Sequence, residues 1–187
     1  MKLTTSYLTT PCDGEIVSGD AVVVRREPDA TMIAMIDVLG HGPEAAKIAG
    51  VAVRHLHEVK LGRATELLLG LHDALKGTRG AAASICVVRG AKIDGCGVGN
   101  VEVRVQGSPV PILLTPGIVG QRVHRLRHFE ARLSAGDRLV VFSDGISSQV
   151  PLDQLRALSP GDACATVMRL HRRRHDDATV LITDLDP

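Results

Sequence analysis

Several aspartates stand where the hydrophobic pattern predicts the end of a buried strand or the turn beside it. They are Asp20, Asp37, Asp144 and the neighbours Asp176 and Asp177. Asp37 follows an apolar run, Met32 to Ile36, and precedes two glycines that bracket His41. Because an unpaired buried charge is costly, an aspartate at a strand end needs a partner or solvent. Each one alone could still be an ordinary turn or capping residue.

The shared placement of these aspartates indicates a common site. Carboxylates gathered at one edge of a sheet repel one another unless a cation lies among them. A site built from oxygen ligands and water favours Mg²⁺ or Mn²⁺ over Zn²⁺. Two such ions can hold a bridging water, lower its pKa and direct it at a phosphorus atom. The pattern therefore indicates metal-dependent hydrolysis of a phosphate ester.

The elements that must position the aspartates follow from the hydrophobic pattern. A strand is predicted over residues 3–9, and two more over 21–26 and 32–36. The last two are joined by the short connection at residues 27–30, so we expect them to pair in antiparallel fashion. That pairing would bring Asp20 and Asp37 to the same edge of a sheet.

Three helices are predicted from apolar residues at helical spacing. They run from Glu44 to about Val59, from Ala64 to Lys76, and from a cap at Asp162 to Arg174. Three histidines on the first two helices are expected at the surface or its boundary: His55, His57 and His72. No carboxylate or cysteine accompanies them at metal-ligand spacing, so we do not predict a metal site there.

From residue 80 onward the sequence predicts short strands bounded by Gly, Asn or Pro. Their ranges are 83–89, 91–97, 101–106, 110–114, 124–133, 138–143 and 180–183. The segment Gly97 to Asn100 resembles the start of a dinucleotide-binding loop, but neither a third glycine nor a helix follows. A turn between strands is therefore the prediction for that segment. Asp137 and Asp162 follow glycines and are also assigned to turns.

Composition restricts the class of protein. With 187 residues, 44% of them hydrophobic, the chain can bury one good core and is expected to form a single domain. The net charge of +1 is scattered, which argues against nucleic acid as the main partner. Aromatic residues make up 2%, too few for a base-stacking platform. No apolar stretch approaches the roughly 20 residues of a membrane span.

The cysteines and the first residues predict a cytoplasmic protein. None of the four cysteines forms a C-x-x-C pair, and the start lacks the apolar core of a signal peptide. Reduced thiols are the simplest expectation. Cys86 lies in an apolar strand pattern and is expected to be a small core residue.

The motifs resemble those of the metal-dependent protein serine/threonine phosphatases, the PPM superfamily. They are Asp20 in Gly-Asp, Asp37 in D-x-x-G-H-G, Asp144 in S-D-G and Asp176 in D-D-x-T. The closer likeness is to the bacterial SpoIIE-like branch and, within it, to stand-alone stressosome phosphatases of the RsbX type. It rests on the segments 79–85 and 97–101, and the resemblance covers about Gly19 to Leu185. It implies a single phosphatase domain over residues 1–187.

The resemblance implies an α+β fold with four layers, α-β-β-α, in which helices flank two antiparallel sheets. It also implies that Asp37 bridges two Mn²⁺ or Mg²⁺ ions, with the backbone carbonyl of Val38 as a further ligand. The remaining ligands, direct or through water, would be Asp20, Asp144 and Asp176. Asp177 is then expected to turn toward neighbouring backbone donors, because successive side chains of an extended chain point in opposite directions.

Two roles remain open for His41 and for the arginines. His41 could be the general acid for the leaving serine oxygen or could serve only the turn and helix cap. The larger phosphatases of the superfamily carry an early arginine for the phosphate, and this sequence has no clear counterpart. Arg25 and Arg26 are possible substitutes or solvated strand residues. The run Arg172 to Arg174 is expected to be a solvated helix end, or alternatively to grip an acidic partner.

The implied substrates are phosphoserine or phosphothreonine on STAS-domain proteins of the stressosome or anti-anti-sigma type. Two alternatives stay open: a catalytically silent module that docks a signalling partner, and a small-molecule phosphoesterase. The intact set of aspartates speaks against the silent module. The lack of a nucleotide or sugar pocket motif leaves the small-molecule enzyme weakly supported. The oligomeric state is not predicted.

Overall fold

The computed structural model describes residues 2–187 and arranges them in two large antiparallel sheets and a small two-stranded sheet, with three α-helices. The strands are β1 (Lys2–Thr10), β2 (Asp20–Arg26), β3 (Thr31–Val38), β4 (Ala81–Arg89), β5 (Lys92–Val98), β6 (Glu102–Gln106), β7 (Gly117–Ile118), β8 (Arg122–Val123), β9 (His128–Arg132), β10 (Arg138–Phe142) and β11 (Ala178–Asp186). The helices are α1 (Gly42–Glu58), α2 (Ala64–Ala74) and α3 (Pro160–His171).

The two sheets pack face to face, with helices on their outer faces. One sheet has the order β2-β3-β4-β5-β9 and the other β1-β11-β10-β6. Helices α1 and α2 cover the five-stranded sheet, and α3 covers the four-stranded one. A third apolar cluster fills the space between the sheets. The predicted α+β sandwich of four layers is confirmed.

Strand β3 shows why the sequence folds into layers. Its side chains alternate between two cores, as the two-residue period of a strand requires. Met32, Ala34 and Ile36 pack toward the helices, whereas Ile33 and Met35 pack between the sheets. Both faces of the strand are covered, so its sequence is a continuous apolar run. That run ends at the half-buried Asp37.

Helix α1 packs closely against the five-stranded sheet because its buried stripe consists largely of small residues. The buried residues are Gly42, Ala45, Ala49, Ala52 and Leu56. Pro43 lies in the first turn, where a missing backbone donor costs nothing. Helix α2 ends at Ala74, two residues before the predicted end. None of the helices in residues 2–187 is long and apolar enough to cross a membrane.

Some sequence predictions are wrong. Residues 110–114 form no strand, because Pro109 and Pro111 lack the donors that a sheet ladder needs. The predicted strand over 124–133 is confined to β9. Helix α3 is capped by Ser159, whose hydroxyl accepts a hydrogen bond from the Asp162 backbone N–H, so Asp162 lies in the helix rather than in a turn. The helix also ends three residues before Arg174.

Candidate active site at the edge of the sandwich

Strand pairing places Asp20 and Asp37 directly opposite each other. Asp20 begins β2, Asp37 lies near the end of β3, and the two are partners in the antiparallel register. Asp20 is buried, with 6% of its surface exposed. The predicted meeting of these two carboxylates at one sheet edge is therefore confirmed.

The four-stranded sheet brings further carboxylates to the same edge. Asp144 follows the end of β10, and Asp176 precedes the start of β11. Ser143 links the sheets, since its hydroxyl donates to Asp20 Oδ2 at 2.6 Å and accepts from the Thr179 backbone N–H at 2.9 Å. We call Asp20, Asp37, Asp144 and Asp176 the aspartate cluster.

The members of the aspartate cluster repel one another. Burial, together with the charges of Asp20, Asp144 and Asp176, raises the pKa of Asp37 to about 9. Burial likewise raises the pKa of Asp20 to about 7, against the opposing effect of hydrogen bonds from Ser143 and Thr179. Burial and the Asp144 charge raise the pKa of Asp176. Asp20, Asp37 and Asp176 therefore favour their protonated forms unless a cation offsets the repulsion.

The donor chemistry of the aspartate cluster fits a hard divalent cation. Asp20 Oδ1 is buried without a hydrogen-bond partner among the described residues. Asp37 is held protonated in part by a side-chain hydrogen bond with Asp144, and a metal ion would replace that proton. All of these donors are oxygens, which suits Mg²⁺ or Mn²⁺. Across residues 2–187, no three His, Cys, Asp or Glu side chains are already arranged as a metal-ligand set.

The side chain of Asp177 binds backbone donors instead of joining Asp176 in the aspartate cluster. Its Oδ1 accepts from the Cys12 backbone N–H at 2.8 Å, and its Oδ2 accepts from the Gly19 backbone N–H at 2.6 Å. The residue is 3% exposed. The predicted turn toward backbone donors is confirmed, and the contacts tie the loop before β2 to the entry of β11.

The glycines of two motifs are required by geometry. Gly40 and Gly42 have φ of +81° and +76°, in the left-handed region that side chains disfavour. They shape the loop that carries Asp37 into α1. At Gly145 a Cβ would lie 1.9 Å from the Asp177 carbonyl oxygen, so only glycine fits beside that strand entry.

His41 occupies the N-cap position of α1, but its side chain makes no capping hydrogen bond. Its Nδ1 lies 3.0 Å from Glu15 Oε1 instead, and 48% of its side chain is exposed. The carboxylate of Glu15 therefore orients the ring at the rim of the site. His41 therefore takes the helix-cap position that was the alternative prediction, without a capping hydrogen bond from its side chain, and the general-acid role stays a prediction.

Sequence reasoning overlooked several residues at this edge. Asn100, in the turn after β5, donates from Nδ2 to Asp144 Oδ2 at 2.6 Å and so orients the Asp144 side chain. Its position after Gly97-Val98-Gly99 was visible in the sequence, but its partner lies 44 residues away. Ser143 stands in the S-D-G motif, and Glu15 had no recognisable signal.

The arginines differ from the sequence predictions. Arg25 donates to the carbonyls of Leu56, His57 and Val59 at the end of α1. It lies five residues along β2 from Asp20, about 16 Å at strand spacing. The prediction that Arg25 takes the role of the early phosphate-binding arginine is therefore wrong.

Two other arginines bind backbone carbonyls in or beside the segments that carry the aspartate cluster. Arg79 Nη1 donates to the Leu39 carbonyl at 3.2 Å, and Arg173 Nη1 donates to the Asp144 carbonyl at 3.1 Å. Arg172 bonds to the Pro11 carbonyl at 2.6 Å and to Asp13 at 2.7 Å. Arg172 and Arg173 are thus bound to loops of the site, and a freely solvated helix end is wrong for both.

The raised pKa values predict how the metal-free protein responds to pH. A group whose folded pKa is raised stabilises the fold fully below its unfolded pKa of about 4 and loses that effect as pH rises. For Asp20 and Asp37 the loss spans the interval up to pKa values of about 7 and about 9. Thermal unfolding in EDTA should show a falling Tm from pH 5 to 9. With saturating Mn²⁺ the fall should shrink, and an equal fall in both conditions would contradict the prediction.

Comparison with known proteins shows that the chain resembles several solved structures. No protein-family model matches the chain, and no curated protein is significantly similar to it in sequence. A structure from work on the bacterial stressosome, a modular system that has been adapted to control secondary messenger signaling, is 31% identical. The TM-score is 0.90, and the match covers 98% of this chain and 100% of that one.

Two further solved structures share the fold at lower sequence identity. RsbX in complex with magnesium is 20% identical, with a TM-score of 0.84 and coverage of 98% of this chain and 96% of that one. The PP2C phosphatase domain of SpoIIE from Bacillus subtilis is 19% identical, with a TM-score of 0.79 and coverage of 99% and 64%. The chain therefore has the fold of the PP2C-type (PPM) serine/threonine phosphatases.

Proposed function

We propose that this chain is a metal-dependent protein serine/threonine phosphatase of the RsbX type, within the SpoIIE-like branch. The observation that carries the proposal is the aspartate cluster, in which carboxylates from both sheets meet and mutually raise their pKa values. Such a cluster is unfavourable in a metal-free protein and favourable around divalent cations. The likeness to RsbX with magnesium supports the same chemistry.

In this proposal Asp37 would hold both Mn²⁺ or Mg²⁺ ions, helped by the Val38 backbone carbonyl. Asp20, Asp144 and Asp176 complete the ligand set. When bound, the ions supply an activated water and stabilise charge on the phosphoryl group.

The other residues at this sheet edge orient the aspartates, hold the loop beside them or supply a proton. Ser143 orients Asp20 and Asn100 orients Asp144, each through a hydrogen bond of 2.6 Å. Asp177 holds the loop that leads to Asp20. His41, whose Nδ1 lies 3.0 Å from Glu15 Oε1, would donate a proton to the leaving serine or threonine oxygen.

The proposed substrates are phosphoserine and phosphothreonine on STAS-domain proteins of the stressosome or anti-anti-sigma type. The 31% identity to a structure from stressosome work and the likeness to RsbX support this class. The cysteines Cys12, Cys86, Cys96 and Cys164 are buried and free, which fits a reducing cytoplasm. A silent docking module would not need the carboxylate ligands that the chain retains.

The test is phosphate release from phosphorylated STAS proteins encoded in the same genome, followed at varied Mn²⁺ and Mg²⁺. We expect metal-dependent release that EDTA abolishes. No turnover of these proteins or of p-nitrophenyl phosphate would favour the silent module. Faster turnover of free phosphoserine than of the phosphoproteins would favour a small-molecule phosphoesterase.

Arg79 is proposed as the phosphate-positioning residue that the early arginine of larger relatives would supply. Its guanidinium lies over the Asp37–Gly42 loop and uses one donor on Leu39, which leaves others for a phosphate oxygen. Arg79→Ala should raise KM for the phosphoprotein about tenfold or more, since a charged hydrogen bond is worth about 1.5–3 kcal/mol. Arg79→Lys should raise KM less than Arg79→Ala does, because lysine keeps the charge but loses the planar fork.

The matched control is Arg54→Ala, at an exposed position on α1. It should leave KM unchanged. An unchanged KM in Arg79→Ala, with thermal unfolding as in the wild type, would reject the assignment.

A further inference from the structure

A row of positive side chains crosses the five-stranded sheet at the end remote from the aspartate cluster. Arg89 on β4 is the register partner of Lys92 on β5, and Lys92 is the partner of Arg132 on β9. Register partners point to the same face of a sheet, and like charges opposite each other are destabilising. We call these three residues the cationic row. Their placement calls for a negative group to offset the repulsion.

The cationic row borders a cavity of about 420 Å³ beside the start of α2. Val87 lies two residues before Arg89 on the same face, and it packs in the core beneath the helices. The cavity is also lined by Arg63, Ile93, Asp94, Glu130 and Ala131. Its volume falls within the range of small-molecule sites.

The acidic side chains of the cavity do not neutralise the cationic row. Glu130 pairs with Arg63 Nη2 at 2.9 Å, and Asp94 Oδ2 accepts from the Ala64 backbone N–H at 2.9 Å. In the part of the chain that the structure describes, Lys92 and Arg132 form no ion pair or side-chain hydrogen bond. The lining therefore carries four cations against two carboxylates, both already engaged.

One side chain of the cationic row is also held in place at the cavity. Arg89 Nη2 is occupied by the Gly62 carbonyl at 2.8 Å, which fixes the side chain at the rim of the cavity.

We propose that this cavity binds a small ligand that carries several phosphate groups. The phosphates lie against the cationic row. Arg89 is seven residues from Ala82, the register partner of Asp37, which is about 23 Å along the strand. The cavity is therefore a second site, and it does not depend on the proposed phosphatase activity.

The test is calorimetric titration of the full chain with ATP and with tripolyphosphate in EDTA. Without metal, the aspartate cluster offers no cation to a phosphate, so binding reports on the cavity. Lys92→Glu/Arg132→Glu reverses two exposed charges whose side chains form no hydrogen bond or ion pair within the described chain. We expect this variant to bind ATP more than about tenfold more weakly than the wild type. Arg54→Glu/Arg169→Glu, the same charge change on α1 and α3, should bind as the wild type does.

ATP and tripolyphosphate should both bind, because both present phosphate groups to the cationic row. The site itself would be overturned if the wild type bound neither probe, or if the Lys92→Glu/Arg132→Glu variant bound ATP unchanged.

Discussion

Asp37→Asn is expected to lower phosphatase turnover about a thousandfold or more while the protein stays folded. The bridging carboxylate would contact both metal ions, so the loss of its charge weakens both sites together. A loss of about 4 kcal/mol of transition-state stabilisation corresponds to that factor. The measurement is kcat on the phosphorylated substrate at saturating Mn²⁺, with circular dichroism to verify folding.

The matched control is Asp29→Asn in the β2–β3 connection, at the other end of the same hairpin. It makes the same chemical change at an exposed position and should retain wild-type turnover. Wild-type turnover in Asp37→Asn itself would reject the bridging assignment.

The same substitution should stabilise the metal-free protein at high pH. Burial and the neighbouring carboxylates raise the pKa of Asp37 to about 9, so the wild type must ionise it at a cost above that pH. Asparagine removes that cost. In EDTA at pH 9.5, Asp37→Asn should therefore melt at a higher temperature than the wild type, and a lower melting temperature would contradict the cluster electrostatics.

Asp176→Ala and Asp177→Ala are expected to impair different properties, metal-dependent activity in the first and stability in the second. Asp176 is half-buried within the aspartate cluster, and its pKa is raised by burial and by the Asp144 charge. Its loss should lower kcat at least about a hundredfold and raise the Mn²⁺ concentration needed for half-maximal rate. Excess Mn²⁺ should recover part of the activity.

Asp177→Ala should act on stability instead. The buried carboxylate accepts two backbone hydrogen bonds, from Cys12 and Gly19, and alanine leaves both donors unpaired. The free energy of unfolding should fall by about 2–4 kcal/mol, with a smaller shift in metal requirement. Urea denaturation and Mn²⁺ titration of the two variants together decide between the roles. A greater metal shift in Asp177→Ala would reverse the assignment of the two residues.

Local patterns in the sequence were enough to predict the elements that carry the site. The apolar run before Asp37, the short connection at residues 27–30 and the valines after Asp20 predicted the β2–β3 hairpin. They therefore predicted the pairing of Asp20 with Asp37. This succeeded because periodicity and turn chemistry act over a few residues. The same reasoning failed over residues 110–114, where prolines override an apolar run.

Only the packing of the two sheets decided which side chains meet. The hydrogen bond between Ser143 and Asp20 spans 123 residues, and that between Asp177 and Cys12 spans 165. Arg79 reaches the Asp37 loop because the turn after α2 packs beside it. The cationic row likewise exists only through the strand register. Such contacts depend on layers that close over long loops, and no local pattern encodes that geometry. The sequence determined the chemistry of the carboxylates, and the tertiary structure decided their partners and their electrostatics.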